Sequence, residues 1–179
     1  LTSMMQFDVS ETVFNDGSTN TDFRVESDGN ANMLFVDAGN NRVGIGTGSP
    51  STPLHISTTV SETGFTIDGV ENPAFFTRYA ANADGATIFL GKSRNATTGS
   101  QTVLQANDEI AVIKARGSDG SNLVDSSAII LAVDGTPGST DMPGRITFGT
   151  AADGSTSITE KMRLTSAGFL GIGTTSPSD

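Results

Sequence analysis

The chain is written in short runs of strand-forming residues separated by turn residues, and no stretch carries a helical stripe longer than a turn or two. "DFRVES" (Asp22–Ser27) alternates, with Phe23 and Val25 on one face. "NMLFVDA" (Asn32–Ala38) is mostly apolar, and "RVGIGT" (Arg42–Thr47) alternates again with Val43 and Ile45 in phase. "DGN" at 28–30 and "GNN" at 39–41 separate them, and both are turn sequences because Gly and Asn accept positive φ. Two prolines in "SPSTPLHIS" force an extended crossing before "LHIS" resumes as a strand. From Gly64 to Arg163 come "GFTIDGV", "PAFFTRYA", "ATIFLGK", "TVLQA", "EIAVIKARG", "SAIILAVDG", "GRITFGT" and "SITEKMRL". All are rich in Ile, Val, Phe or Thr and bounded by Gly, Asp, Asn or Pro. Runs at intervals of roughly 10–15 residues without helical spacers predict an all-β chain with an antiparallel, sandwich-like middle domain. "TVLQANDEIAVIKARG" also holds helix-friendly residues, but "AND" at its centre favours a turn.

Composition narrows the function. With 10 Lys and Arg against 20 Asp and Glu, the net charge is −10, and no stretch is more basic than "GKSR" at 91–94. Nucleic-acid phosphates demand clustered Lys and Arg, so that partner is excluded, and affinity for anionic membranes is low. No run approaches 18 apolar residues, so membrane insertion is not expected. Zero cysteines remove disulfides, thiolate metal sites and thiol catalysis together. The opening "LTSMMQFDVSE" resembles neither a signal peptide nor an initiating methionine and reads as an interior boundary.

One phrase occurs twice: "NRVGIGTGSPS" (Asn41–Ser51) and "GFLGIGTTSPS" (Gly168–Ser178). With the strands before them, Met162 and Leu164 match Leu34 and Val36, and Leu170 and Ile172 match Val43 and Ile45. A phosphate loop is the first alternative. "GIGTGS" has Ser49 where the third glycine of G-x-G-x-x-G belongs, Pro50 and Pro53 follow, and no helix opens there to aim N–H groups at a phosphate. Turn chemistry is the better reading. "DGNAN" spaces Asp28, Asn30 and Asn32 like the first half of a calcium loop, but Met33 and Gly39 stand where Gly and Glu are needed, so an Asx-turn is favoured. His55 is the only histidine. It is read as an exposed strand residue, with a ring of three copies around an ion as the alternative. Glu62, Glu71, Glu109 and Glu160 show no spacing that singles out an acid pair. Phe75, Phe76 and Tyr79 in "FFTRY" read as packing residues rather than a sugar platform. "NAT" at 95–97 matches a glycosylation sequon.

The "VGIGT-x-SPS" and "LGIGT-x-SPS" phrases resemble connector repeats of tailed-bacteriophage tail fibres and related virion appendages. "PLHIS" is similar to the strand that follows the phrase in that family. "NPAFFTRYAANADGATIFLGKSR" and "VDGTPGSTDMPGRITFGTAADGSTSITEKMRL" are similar to segments recurrent in phage fibre proteins, so the resemblance covers most of residues 22–179. It implies an elongated homotrimer in which β-prism-like hairpin modules flank the middle domain. Exposed strand edges fit that expectation, because they invite pairing with another chain. Many such fibres end in an intramolecular chaperone domain that cleaves itself off; its catalytic motif is absent from this sequence, and no such residues are carried over.

The expected organisation is a polar connector over 1–21, a first β-repeat module over 22–63, the central domain over 64–161 and an incomplete second module over 162–179. The expected function is structural: a trimeric tail-fibre shaft or distal module on the virion that contributes to host attachment, with no catalytic, cofactor or metal residue. Its partners would be two further copies, other virion or tail proteins and a host cell-surface glycan or protein. A capsid head-fibre or decoration protein is the alternative, and a tailspike-like glycan depolymerase a further one. Receptor contacts are expected from loops of the middle domain, at Asn82, Asp84, Arg94, Asn95, Thr97, Asp134, Thr136 and Asp141.

Overall fold

The computed structural model describes residues 5–7, 12–15, 17, 19–58, 65–67 and 74–178. It is all-β, with no helix among the described residues, and divides into two compact units, Leu1–Phe76 and Thr77–Asp179.

The first unit opens with a hairpin of β1 (Met5–Phe7) and β2 (Thr12–Phe14), within a segment the sequence marked only as polar. The Phe14 ring packs against Phe23 with centroids 5.1 Å apart. A four-stranded sheet follows: β3 (Phe23–Val25), β4 (Leu34–Asp37), β5 (Arg42–Ile45) and β6 (Leu54–Ile56), in that order. Its first two pairings are antiparallel and β5–β6 is parallel. The turns close as their residues dictate. Asn30 Oδ1 accepts from Asn32 N–H at 2.8 Å, an Asx-turn, and Asn41 takes φ 55°. The proline-bearing crossing brings the chain back beside β5, where Val43 N–H donates to Pro53 O and Ser57 N–H to Ile45 O. His55 lies on β6, half-buried, and its Nδ1 accepts from Ser51 N–H at 3.3 Å.

The second unit holds a five-stranded antiparallel sheet of order β11-β10-β9-β8-β7. Its strands are β7 (Glu109–Ser118), β8 (Leu123–Val133), β9 (Gly144–Ala151), β10 (Ile158–Leu164) and β11 (Leu170–Ile172). "AND" is a turn, with Asn107 at φ 70° and Asp108 N–H donating to Gln105 O. Three runs expected to be strands do not pair. From 74 onward, "PAFFTRYA", "ATIFLGK" and "TVLQA" join no ladder among the described residues. Strand propensity is local, whereas a ladder also needs a second backbone edge about 4.8 Å away. Of "GFTIDGV", only 65–67 fall within the described residues, and they form no strand.

The two copies of the repeated phrase fold alike. Gly46 and Gly173 both take positive φ, at 73° and 72°. Their N–H groups donate to Asn32 O and Lys161 O, at 2.8 and 2.9 Å. Ser49 N–H donates to Thr47 Oγ1 at 3.1 Å, and Ser176 N–H to Thr174 Oγ1 at 3.2 Å. The strand registers agree as well, with Val36 opposite Val43 and Leu164 opposite Leu170. The phrase is a turn in which φ requires glycine at 46 and 173 and whose threonines cap the chain that follows.

Candidate functional site

Residues opposite one another in an antiparallel pair share a face, so the registers of the second unit show which side chains stand together. One cross-strand row runs Ile113, Ile129, Phe148, Met162, Ile172. The next runs Ala111, Leu131, Ile146, Leu164, Leu170. Two adjacent rows across all five strands are therefore wholly apolar. The described residues of this unit form no second sheet, and Ile113 is 57% exposed, Leu170 61% and Ile172 73%.

The charged side chains occupy the opposite face. Asp125 takes Lys114 Nζ at 2.8 Å and Arg116 Nε at 2.7 Å. Glu160 holds Arg163 through two bonds, at 2.6 and 2.8 Å. Hydrogen bonds from these cations, led by Lys114 for Asp125 and by Arg163 for Glu160, hold both carboxyls below their usual range. Beneath them, Ala128 and Ala132 are buried. Among the described residues of this unit the other buried apolar side chains are Leu104 and Val133. The apolar side is thus most open at its two edges, at Ile113, Leu170 and Ile172, while Ile129, Leu131 and Met162 are half-buried.

The loops expected to contact a receptor fall into three groups. Asn82 and Asp84 bond within one turn: Asn82 Nδ2 donates to Asp84 Oδ2 at 2.9 Å, and Arg78 reaches Gly85 O and Asp84. In the second group, Arg94 is committed to the fold. Its Nε and Nη2 donate to the buried Asp108 at 2.5 and 2.7 Å, and Gln105 N–H adds a third bond to that carboxylate. These donors, Arg94 first, hold Asp108 well below the usual carboxylate range. Asn95 Oδ1 accepts from Thr97 N–H, and Asn95 Nδ2 donates to Thr102 Oγ1. In the third group, Asp134 accepts from Ser166 N–H at 2.8 Å and lies 3.5 Å from Arg145, while Thr136 and Asp141 are exposed. A groove of about 550 Å³, lined by Lys92, Gln101–Leu104, Pro137–Ser139 and Met142, runs between the second and third loops.

The apolar rows were hidden in the sequence because they exist only across strands. Alternation within "AVIKA" or "ITF" hints at a face but does not say which faces coincide.

An all-β chain with an amphipathic sheet is the class these observations define. A solved structure similar to it is the carboxy-terminal domain of the bacteriophage T5 L-shaped tail fibre, at 17% identity and a TM-score of 0.38. The likeness covers 82% of this chain and 60% of that one, so the chain spans less than two thirds of that structure. No protein-family model and no curated protein matches the chain.

Proposed function

We propose that this chain is a structural module of a homotrimeric virion fibre of the tail-fibre kind, in which three copies close their apolar sheet faces on one another. The observation that carries this reading is the bare pair of apolar rows. Burying a large aliphatic or aromatic side chain contributes about 1.5–3 kcal/mol, so the six exposed members of these rows, Ile113, Ile146, Phe148, Leu164, Leu170 and Ile172, represent on the order of 10 kcal/mol that a lone chain forgoes.

The geometry suits three copies. Five strands at about 4.8 Å span about 24 Å, and a triangular prism of that side has its faces about 7 Å from the axis. Half of the ordinary ~10 Å sheet spacing is about 5 Å, so Ile, Leu, Met and Phe side chains are long enough to fill the difference.

The charged faces would then point to water, and the groove between the 93–102 and 134–143 loops would recur three times per fibre. Three weak contacts to a host cell-surface glycan or protein multiply into useful avidity. Other virion proteins would hold the module in the particle. The test is mass in solution by light scattering, with sedimentation for shape. Three times 18.4 kDa with an elongated profile supports the reading; a compact monomer overturns it.

A further inference from the structure

The segment between 77 and 108 has its turns in place and its strands without partners. At one end Arg78 spans the 78–85 turn through Gly85 O. At the other, Arg94 N–H donates to Thr102 O, Ser100 N–H to Thr97 O, and Ser93 Oγ accepts from Thr102 N–H. Asp108 fixes the base of this second loop through Arg94, and Leu104 is buried beside it in sequence. Between the two turns runs Ala86–Lys92, "ATIFLGK", outside every sheet. Ile88, Phe89 and Leu90 are 63%, 92% and 50% exposed. Three consecutive large apolar residues give a strand an apolar side chain on each face, Ile88 and Leu90 on one and Phe89 on the other.

The same unit also has a vacant edge. β7 is the outermost strand of the sheet, ten residues long, with β8 on one side and no strand on the other among the described residues. A long edge without proline or a covering strand is a template for another strand; on β7 the Lys114 and Arg116 charges are paired to Asp125 of β8, and the irregularities at Glu109/Ala111 and Ala115/Arg116 leave 111–115 regular between them. The edge borders the bare apolar rows at Ala111 and Ile113, so a strand laid there would extend that face.

Resting on the trimer reading, we propose that Ala86–Lys92 is an exchanged strand, pairing with the outer edge of β7 in a neighbouring copy of this chain. Main-chain hydrogen bonds would supply the attachment, and Ile88 and Leu90 would extend the neighbour's apolar rows toward the shared core, with Phe89 on the other face. The occupant is a second copy rather than a foreign peptide because apolar strand and vacant edge are both present in every chain in equal number. An assembly of this kind is interwoven, so its copies separate only when the arm unzips.

Absence of cysteine makes the test direct. Thr87→Cys chains and Ala115→Cys chains are co-expressed and treated with a short bismaleimide, which tolerates an offset of a residue or two. Any 87–115 link is then between chains by construction and is read by peptide mass mapping. Light scattering on the same sample gives the assembly state. A trimer carrying 87–115 links supports the exchange. A trimer without them places the arm elsewhere and overturns the exchange while the trimer stands, and a monomer overturns both. Amide exchange on the unmodified protein provides the second reading. Amides 86–92 are expected to exchange at least tenfold slower than those of the 95–100 turn, and equal rates in a trimer overturn the proposal.

Discussion

Gly44 and Gly171 occupy the same position of the same turn. A Cβ on Gly171 would stand 2.7 Å from Thr174 O, and one on Gly44 would collide with Thr47 O, in each case the carbonyl of the threonine three residues on. Real Cβ atoms do not come that close to a backbone oxygen, so the turn must open to admit even alanine. Gly44→Ala and Gly171→Ala are each expected to cost about 1–3 kcal/mol in a urea or thermal melt. Gly29→Ala, where nothing lies within 4 Å, is expected to change stability by no more than about 0.5 kcal/mol.

The two faces of β7 should respond oppositely to charge. Ile113→Asp places a carboxylate in the bare apolar row and is expected to lower the mass in light scattering from three chains to one. Val112→Asp, one residue away on the charged face, is expected to leave the mass at three chains. A trimer that survives Ile113→Asp would mean that this face is not the contact between copies.

Acid should loosen the fold through its paired carboxylates. Asp108, Asp125, Asp134 and Glu160 all have pKa values lowered by their donors in the folded chain. A depressed carboxyl binds protons more readily when unfolded, so its contribution is complete above the ordinary value near 4 and is lost as the pH falls below it. The thermal midpoint is expected to be level between about pH 5 and 7 and to drop below about pH 4. Asp108→Asn should lower the midpoint at pH 7 and flatten the acid limb. A variant curve parallel to that of the parent would mean that the Arg94–Asp108 pair contributes no such dependence.

Host contact is best probed where substitution spares the scaffold. Thr97 and Thr136 are exposed on the two loops that border the groove. The Thr97→Ala, Thr136→Ala double variant is expected to keep its mass and to hold its stability within about 0.5 kcal/mol per site. If three copies present this groove to a host receptor, as proposed, binding of the module to host cells should fall at least tenfold, because the weakened contact would be repeated in every copy. Unchanged binding would move the receptor surface away from these loops. Arg94 is unsuited to this experiment, since its guanidinium anchors the loop to Asp108.

Residue identity by itself determined the strands and their punctuation. "NMLFVDA", "RVGIGT", "EIAVIKARG" and "GRITFGT" each became strands, and Asn41, Asn107 and Gly168 each took the positive φ that a turn requires. Such features are legible because alternation and φ preference are properties of a few adjacent residues. Partnership was decided only by the tertiary structure. "ATIFLGK" and "GRITFGT" have similar strand propensity, yet β9 sits at the centre of a sheet and Ala86–Lys92 joins none. Register likewise placed Ile113, Ile129, Phe148, Met162 and Ile172 in one row, although they come from five separate runs. A one-residue slip in any strand would have sent its apolar side chains to the charged face, and composition is blind to that choice because it is made between strands rather than along them.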